Sequence, residues 1–160
     1  MSLVKSVLFV CLGNICRSPS AEAVFRAKAI EYKLDIKIDS AGTMAYHQGN
    51  SPDPRSIKAG EARGLEFSGM HARQVTDADF ETFDLILAAD KTNLAHLYER
   101  CPERYENKLK LILWYLTEDN TADLKEVPDP YYGGEQGFEV VLNLLESSLD
   151  VLAQTLSKHD

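Results

Sequence analysis

Cysteine is scarce in this sequence. The three present, Cys11, Cys16 and Cys101, are odd in number and irregularly spaced. That excludes a disulfide framework and points to a reducing compartment. Basic charge is also short, with 17 Lys and Arg against 25 Asp and Glu and a net charge of −8. This balance excludes general nucleic-acid binding and a polybasic membrane-binding face, so an anionic ligand must be drawn by a local site. No apolar run approaches the length of a membrane span. The run after Lys5, "VLFVCLG", resembles a secretory core in length. It lacks a cleavage site and runs straight into Asn-Ile-Cys-Arg, so it reads as a first buried strand and the protein is expected in the cytoplasm. His47, His71, His96 and His159 are scattered and show no metal-ligand spacing; surface or structural roles are expected for each, with no metal and no cofactor. There is no internal repeat, low-complexity tract or linker. One domain spanning residues 1–160 is expected.

What is present alternates between two periods. Val4 to Val10 is a β-branched apolar run, the mark of a strand covered on both faces. From Ser18 the pattern turns helical. Ser18 is the expected N-cap, Pro19 fits the first turn, and Ala21, Val24, Phe25, Ala29 and Ile30 make an apolar face. Asp35 to Gly42 reads as a second strand, and Pro54 to Gly64 as a helix with a glycine stop. Phe83 to Asp90 is a third strand. Asp90 or Thr92 caps the next helix, whose Leu94, Leu97 and Tyr98 should face inward. Lys108 to Leu116 is a fourth strand, and a last helix carries Phe138, Val141, Leu142, Leu145, Leu149, Leu152 and Leu156 at helical spacing. Alternation of this kind predicts a single three-layer α/β domain, with a parallel sheet flanked by helices on both faces. Ligands in such sheets bind beyond the carboxyl ends of the strands. The turn after the first strand is therefore the place to look.

That turn is "CLGNICRS", Cys11 to Ser18. It joins a strand end to a helix N-terminus, where unpaired N–H groups and the positive dipole end favour anions. Gly13 and Asn14 tolerate positive φ, which lets successive N–H groups curl into a nest. Arg17 offers a planar fork for two oxygens of a tetrahedral oxyanion. Cys11 lies at the base of this cradle, in a field that also favours its thiolate. A thiolate beneath a bound phosphate is a nucleophile aimed at phosphorus.

The stretch "VCLGNICRSPSAEAVF" is similar to the phosphate-binding loop of the low-molecular-weight protein tyrosine phosphatases. The resemblance continues through "DSAGT", "SPDPR", "ARQVTDADF", "FDLILAAD" and "DPYYGG", in the family's order. It implies a four-stranded parallel sheet and a phosphotyrosine hydrolase acting through a phosphocysteine, on phosphotyrosine proteins and small aryl phosphates. By this resemblance Cys11 is the nucleophile and Arg17 the phosphate clamp. The N–H groups of Leu12, Gly13, Asn14, Ile15, Cys16, Arg17 and Ser18 form the cradle, which also accepts inorganic phosphate or other oxyanions. Ser18 donates to the thiolate, Asn14 holds the loop, and Ser40 supports it from behind. Asp129, between two prolines, is the general acid and then the base. Tyr46, Tyr131 and Tyr132 line an aromatic slot. Cys16 is the redox partner of Cys11. The expected assembly is a monomer or a weak dimer.

One departure stands out. Many relatives place a histidine where this chain has Met70; His71 sits one residue later and is left out of the expected site. Three other readings share the cradle. Arsenate reductases of this fold relay oxidation through two further cysteines, which "DADFETFDLILAAD" lacks. Protein-arginine phosphatases carry threonine at the position of Ile15. A binding module without turnover would not need Cys11, Arg17 and Asp129 together.

Overall fold

The computed structural model describes residues 4–116, 126–130 and 134–158. Four strands, β1 (Ser6–Cys11), β2 (Lys37–Gly42), β3 (Leu85–Ala88) and β4 (Leu109–Leu111), form one parallel sheet in the order β2-β1-β3-β4. Among the described residues five helices flank it: α1 (Arg17–Glu31), α2 (Pro54–Glu61), α3 (Asp77–Thr82), α4 (Lys91–Arg100) and α5 (Gly134–Ser157). The central strand β1 is buried along its whole length. Its period of two splits the core. Val7, Phe9 and Cys11 face α1 and α5, whereas Leu8 and Val10 face the side of Phe80, Phe83 and Leu97. The Phe9 and Phe25 rings meet edge to face with centroids 5.7 Å apart.

Helix α5 has the leucine stripe its spacing predicted, with Leu142, Leu145, Leu149, Leu152 and Leu156 all buried. Each buried leucine contributes about 2 kcal/mol relative to exposure. Ser148 interrupts the stripe without an orphaned hydroxyl, because its Oγ donates to the Ile112 carbonyl at 2.8 Å.

Several expectations need correction. The fourth strand stops at Leu111, and Ile112–Tyr115 coil into a 3-10 turn. The reason lies next door: β3 pairs with β4 only as far as Ala88 with Leu111, after which the β3 chain turns into α4. Helix α1 begins at Arg17 with Cys16 at the cap position, and Ser18 makes no capping bond because its hydroxyl serves the loop. Ile30 is 81% exposed and Tyr98 43%, so neither joins the core. Helix α3 and a 3-10 segment over Glu103–Lys108 had no counterpart in the sequence reading. Asp90, not Thr92, caps α4 by accepting the Asn93 N–H at 2.7 Å.

The chain leaves β1 towards β2 on one side and later returns to β3 on the other. The turns that follow β1 and β3 therefore open into a shared crevice at the carboxyl edge of the sheet.

Candidate functional site

Cys11 ends β1, and the turn from Leu12 to Cys16 delivers the chain into α1. Asn14 takes the left-handed conformation alone, with φ 58°. Gly13 does not, contrary to expectation; it is needed for space, since a Cβ there would lie 2.8 Å from His47 Cδ2. The loop is tied from outside through its carbonyls. Thr43 N–H donates to Cys11 O (2.9 Å), Met44 N–H to Leu12 O (3.0 Å) and Asp53 N–H to Ile15 O (2.7 Å).

Behind the loop the Asn14 side chain is fully used. Its Oδ1 accepts the Arg73 backbone N–H at 3.0 Å, and its Nδ2 donates to Ser18 Oγ (2.8 Å) and Ser40 Oγ (3.0 Å). Ser18 Oγ lies 3.0 Å from Cys11 Sγ. Ser40 Oγ in turn donates to Glu22 Oε1 at 2.8 Å. Ser40 thus lies between Asn14 and Glu22, and Glu22 was not anticipated. A charged side chain on the apolar flank of α1, one turn past Ser18, was the available signal. Met70 and His71 both border a polar cavity of about 220 Å³ behind the loop, alongside Asn14, Glu22, Arg26 and Ser40.

Arg17 is buried, and its Nη1 donates to Asp90 Oδ2 at 2.8 Å and to Val127 O at 3.1 Å. Burial alone would pull its pKa down. The negative charge of Cys11, the ion pair with Asp90 and the charge of Asp129 outweigh this and raise it, so the guanidinium stays cationic. Asp129 and Pro130 close the far wall. Their segment is pinned by Val127 N–H donating to Ala89 O (2.8 Å), and Gly137 of α5 packs on Pro130 so closely that a Cβ would lie 2.8 Å from the Pro130 oxygen.

These parts enclose a cleft of about 90 Å³ lined by Cys11, Leu12, Gly13, Ile15, Cys16, Arg17, Tyr46, His47, Asp129 and Pro130. The cleft therefore brings together the predicted thiol, guanidinium and carboxyl, with Tyr46 at the mouth, 69% exposed. Tyr131 and Tyr132 lie outside the described residues. His47, for which a surface or structural role was expected, is part of the wall. Cys11 and Cys16 are both buried, and no disulfide joins them. Among the described residues no three His, Cys, Asp or Glu side chains converge on a metal-sized site, and no helix is long and apolar enough to cross a membrane.

The chain is thus a parallel α/β protein with a thiol at the end of an interior strand and a guanidinium at the start of the helix that follows. Comparison with known proteins specifies it further. The family model described as low molecular weight phosphotyrosine protein phosphatase matches residues 6–160. The low molecular weight phosphotyrosine protein phosphatase of Gallus gallus is 46% identical over 140 residues, covering 86% of this chain and 87% of that protein. The low molecular weight protein-tyrosine-phosphatase YfkJ of Bacillus subtilis is 42% identical over 155 residues, covering 96% of each. Among solved structures, a protein tyrosine phosphatase from Entamoeba histolytica with Hepes in its active site superposes with a TM-score of 0.90 at 43% identity, covering 97% of this chain and 98% of that one. The chain belongs to the low molecular weight phosphotyrosine protein phosphatase family.

Proposed function

We propose that the protein hydrolyses phosphotyrosine in proteins, and small aryl phosphates, through a phosphocysteine on Cys11. The observation that carries this is the convergence of Cys11, Arg17 and Asp129 on one small cleft whose floor is the loop after β1. The family membership and the names of the relatives support it.

In the first half-reaction the Cys11 thiolate attacks phosphorus and the P–O bond to the tyrosine oxygen breaks. Asp129 delivers its proton to that oxygen, a transfer typically worth about 10²–10⁴-fold. In the second, Asp129 as carboxylate takes a proton from water, the water oxygen attacks phosphorus, and Cys11 leaves as thiolate with release of inorganic phosphate. Arg17 and the N–H groups from Leu12 to Ser18 hold the three equatorial oxygens throughout, where charge accumulates. Tyr46 presents its ring to the incoming aryl group, and Ile15 gives the loop an apolar lip suited to a phenol. Asn14 and Ser40 hold the loop, and Ser18 donates to the thiolate. No cofactor enters these steps.

Cys16 serves as a redox guard: peroxide oxidises Cys11 to the sulfenic acid, and the Cys16 thiol condenses with it, forming S–S and releasing water. The chain acts as one catalytic unit over residues 1–160, in the cytoplasm, as a monomer or weak dimer. An arsenate reductase relay has little to work with. Cys101 is the remaining cysteine, it belongs to the core on the opposite face of the sheet from Cys11, and burial pushes its thiol pKa up.

The test is hydrolysis of an aryl phosphate by the wild type, Cys11→Ser and Asp129→Ala. Phosphate release that disappears in Cys11→Ser while oxyanion binding persists supports the reading. A wild type that releases no phosphate overturns it. Turnover of arsenate that depends on thioredoxin would favour the reductase.

A further inference from the structure

The proposed chemistry uses Cys11, Ser18, Asn14 and Ser40, yet the hydrogen-bond chain does not end there. It runs on to Glu22, an almost fully buried carboxylate on α1 that no step of the reaction employs. Glu22 Oε2 in turn accepts from Arg26 through Nε (2.9 Å) and Nη2, and Arg26 Nη2 also donates to the Ile38 carbonyl at 2.8 Å.

Donor and acceptor chemistry fixes the direction of the links from Arg73 through Asn14 to the two serines and on to Glu22, and a thiolate at Cys11, which can only accept, fixes the last. The Arg73 N–H can only donate, so the Asn14 atom facing it is the oxygen. Asn14 Nδ2 therefore faces both serines, and both serine oxygens accept from it. Ser40 then has one proton left. It is given to Glu22, which as a carboxylate can only accept. Ser18 likewise has one proton left, and two acceptors face it: Cys11 Sγ at 3.0 Å and the Ala41 carbonyl at 3.4 Å, of which the sulfur, as a thiolate, is both closer and charged. The chain thus points its protons in both directions away from Asn14, towards sulfur at one end and towards Glu22 at the other.

We infer that Glu22 is a positioning residue: paired with Arg26, it holds Ser40 as an acceptor for Asn14, and so keeps the Ser18 proton on the Cys11 thiolate. Arg26 has two tasks in this arrangement. It stabilises a buried charge that would otherwise be costly, and it cancels a negative charge lying near a thiolate. The inference rests on Cys11 being the working thiol of the proposed reaction, but it concerns thiolate formation and can be tested without turnover.

Substitution by glutamine separates this role from plain electrostatics. Glu22→Gln removes a negative charge, and charge alone would let the Cys11 thiolate form at lower pH. The inferred polarity predicts the opposite. With Arg26 still donating, the introduced amide must turn its carbonyl to the guanidinium and its NH₂ to Ser40. Ser40 Oγ then faces two donors, its proton has no acceptor, and its hold on Asn14 weakens. Cys11 also faces Arg17, His47 and Asp129 across the cleft, with Asp90 behind Arg17, and Glu22 shares its cavity with Arg26, Asp39 and His71. Only the Glu22–Arg26 pair is altered.

The experiment is the pH dependence of Cys11 alkylation by iodoacetamide, read by mass spectrometry on the intact chain, with thermal unfolding followed in parallel. For Glu22→Gln the profile should move to higher pH, giving about fivefold slower alkylation at pH 6, the size expected for weakening one hydrogen bond to an ion. Glu22→Gln/Arg26→Gln should recover much of the wild-type profile, because the amide at position 22 is then free to present its carbonyl to Ser40. A Glu22→Gln profile at or below the wild-type pH, or a double variant no better than the single, overturns the inference. Should Glu22→Gln fail to fold, Arg26→Gln decides: its side chain is half exposed, the unpaired Glu22 charge should move the profile upward, and an unchanged profile counts against the proposal. If the wild type proves not to hydrolyse aryl phosphates, the alkylation result still stands or falls by itself.

Discussion

Arg17 Nη1 donates to Asp90 Oδ2 at 2.8 Å, joining the turn after β1 to the turn after β3. The same carboxyl caps α4 through its other oxygen, which accepts the Asn93 N–H at 2.7 Å. One side chain thus aims the Arg17 guanidinium, the proposed phosphate clamp, and starts a helix. Asp90→Asn keeps a cap acceptor but loses the charge, so kcat/KM for an aryl phosphate should fall about tenfold with little change in stability. Asp90→Ala should lose the same activity and also about 1 kcal/mol of stability. Steady-state kinetics and urea titration separate the two effects. Full activity in both variants would mean that Arg17 is held without Asp90.

Two glycines near the loop should differ sharply in tolerance. A Cβ on Gly42 would lie 2.7 Å from the Leu12 oxygen and 3.1 Å from Gly13 C and Met44 O, all backbone atoms. Gly42→Ala must displace the loop itself, and about a hundredfold loss of kcat/KM follows from a displacement of that kind. Gly13→Ala meets chiefly the His47 ring, which can turn aside, so its loss should be several times smaller. Comparable kinetics for the two variants would contradict this ranking.

Gly137 lies on α5, beyond Asp129, the proposed acid, in sequence, yet its lack of a side chain lets Pro130 approach. Gly137→Ala should therefore push Asp129 outward. The expected result is a lower kcat on substrates with poor leaving groups and a nearly normal rate on those with good ones, in the manner of a weaker version of Asp129→Ala. A leaving-group series of aryl phosphates, measured for both variants, checks it.

Asp79 carries an acid-dependent part of the stability. Burial alone would raise its carboxyl pKa, but the Arg73 ion pair and the Thr76 N–H lower it below the ordinary range. A depressed folded-state value means that the contribution is complete above the unfolded value near pH 4 and is lost as pH falls through the folded value beneath it. Asp79→Asn should cost about 2 kcal/mol at pH 7. Denaturation curves should show the gap to wild type closing below about pH 4.

Much of this was legible because the signals were contiguous. The loop lies within eight residues, Cys11 to Ser18, and strands β1 and β3 are unbroken apolar runs. Helix α5 announces itself through seven apolar residues at helical spacing. The second half of the fourth apolar run was not legible, since Ile112 and Leu113 are as buried in a 3-10 turn as they would be in a strand. Helix α3 is only six residues long, and its signal is the Thr76–Asp79 capping box, not a periodic face. His47 and Glu22 were hidden for another reason. Each is a lone polar residue, and only the fold shows that His47 lies against Gly13 and that Glu22 receives the Ser40 proton.

The sheet order also has a consequence for how the site comes into being. Strand β1 registers Val7 against Ile38 on one side and Leu85 on the other, and the acid loop leans on α5. Pairings as distant in sequence as Val7 with Leu85 close slowly and late. The cysteine belongs to the first strand, while Asp129, the proposed acid, is fixed only when the last described helix has docked. A chain caught midway in folding would carry the thiol without its guardians, open to peroxide and useless to a substrate. Enzymatic competence should consequently trail the recovery of helical structure on refolding, and the interval between them is the period in which the protein is chemically vulnerable.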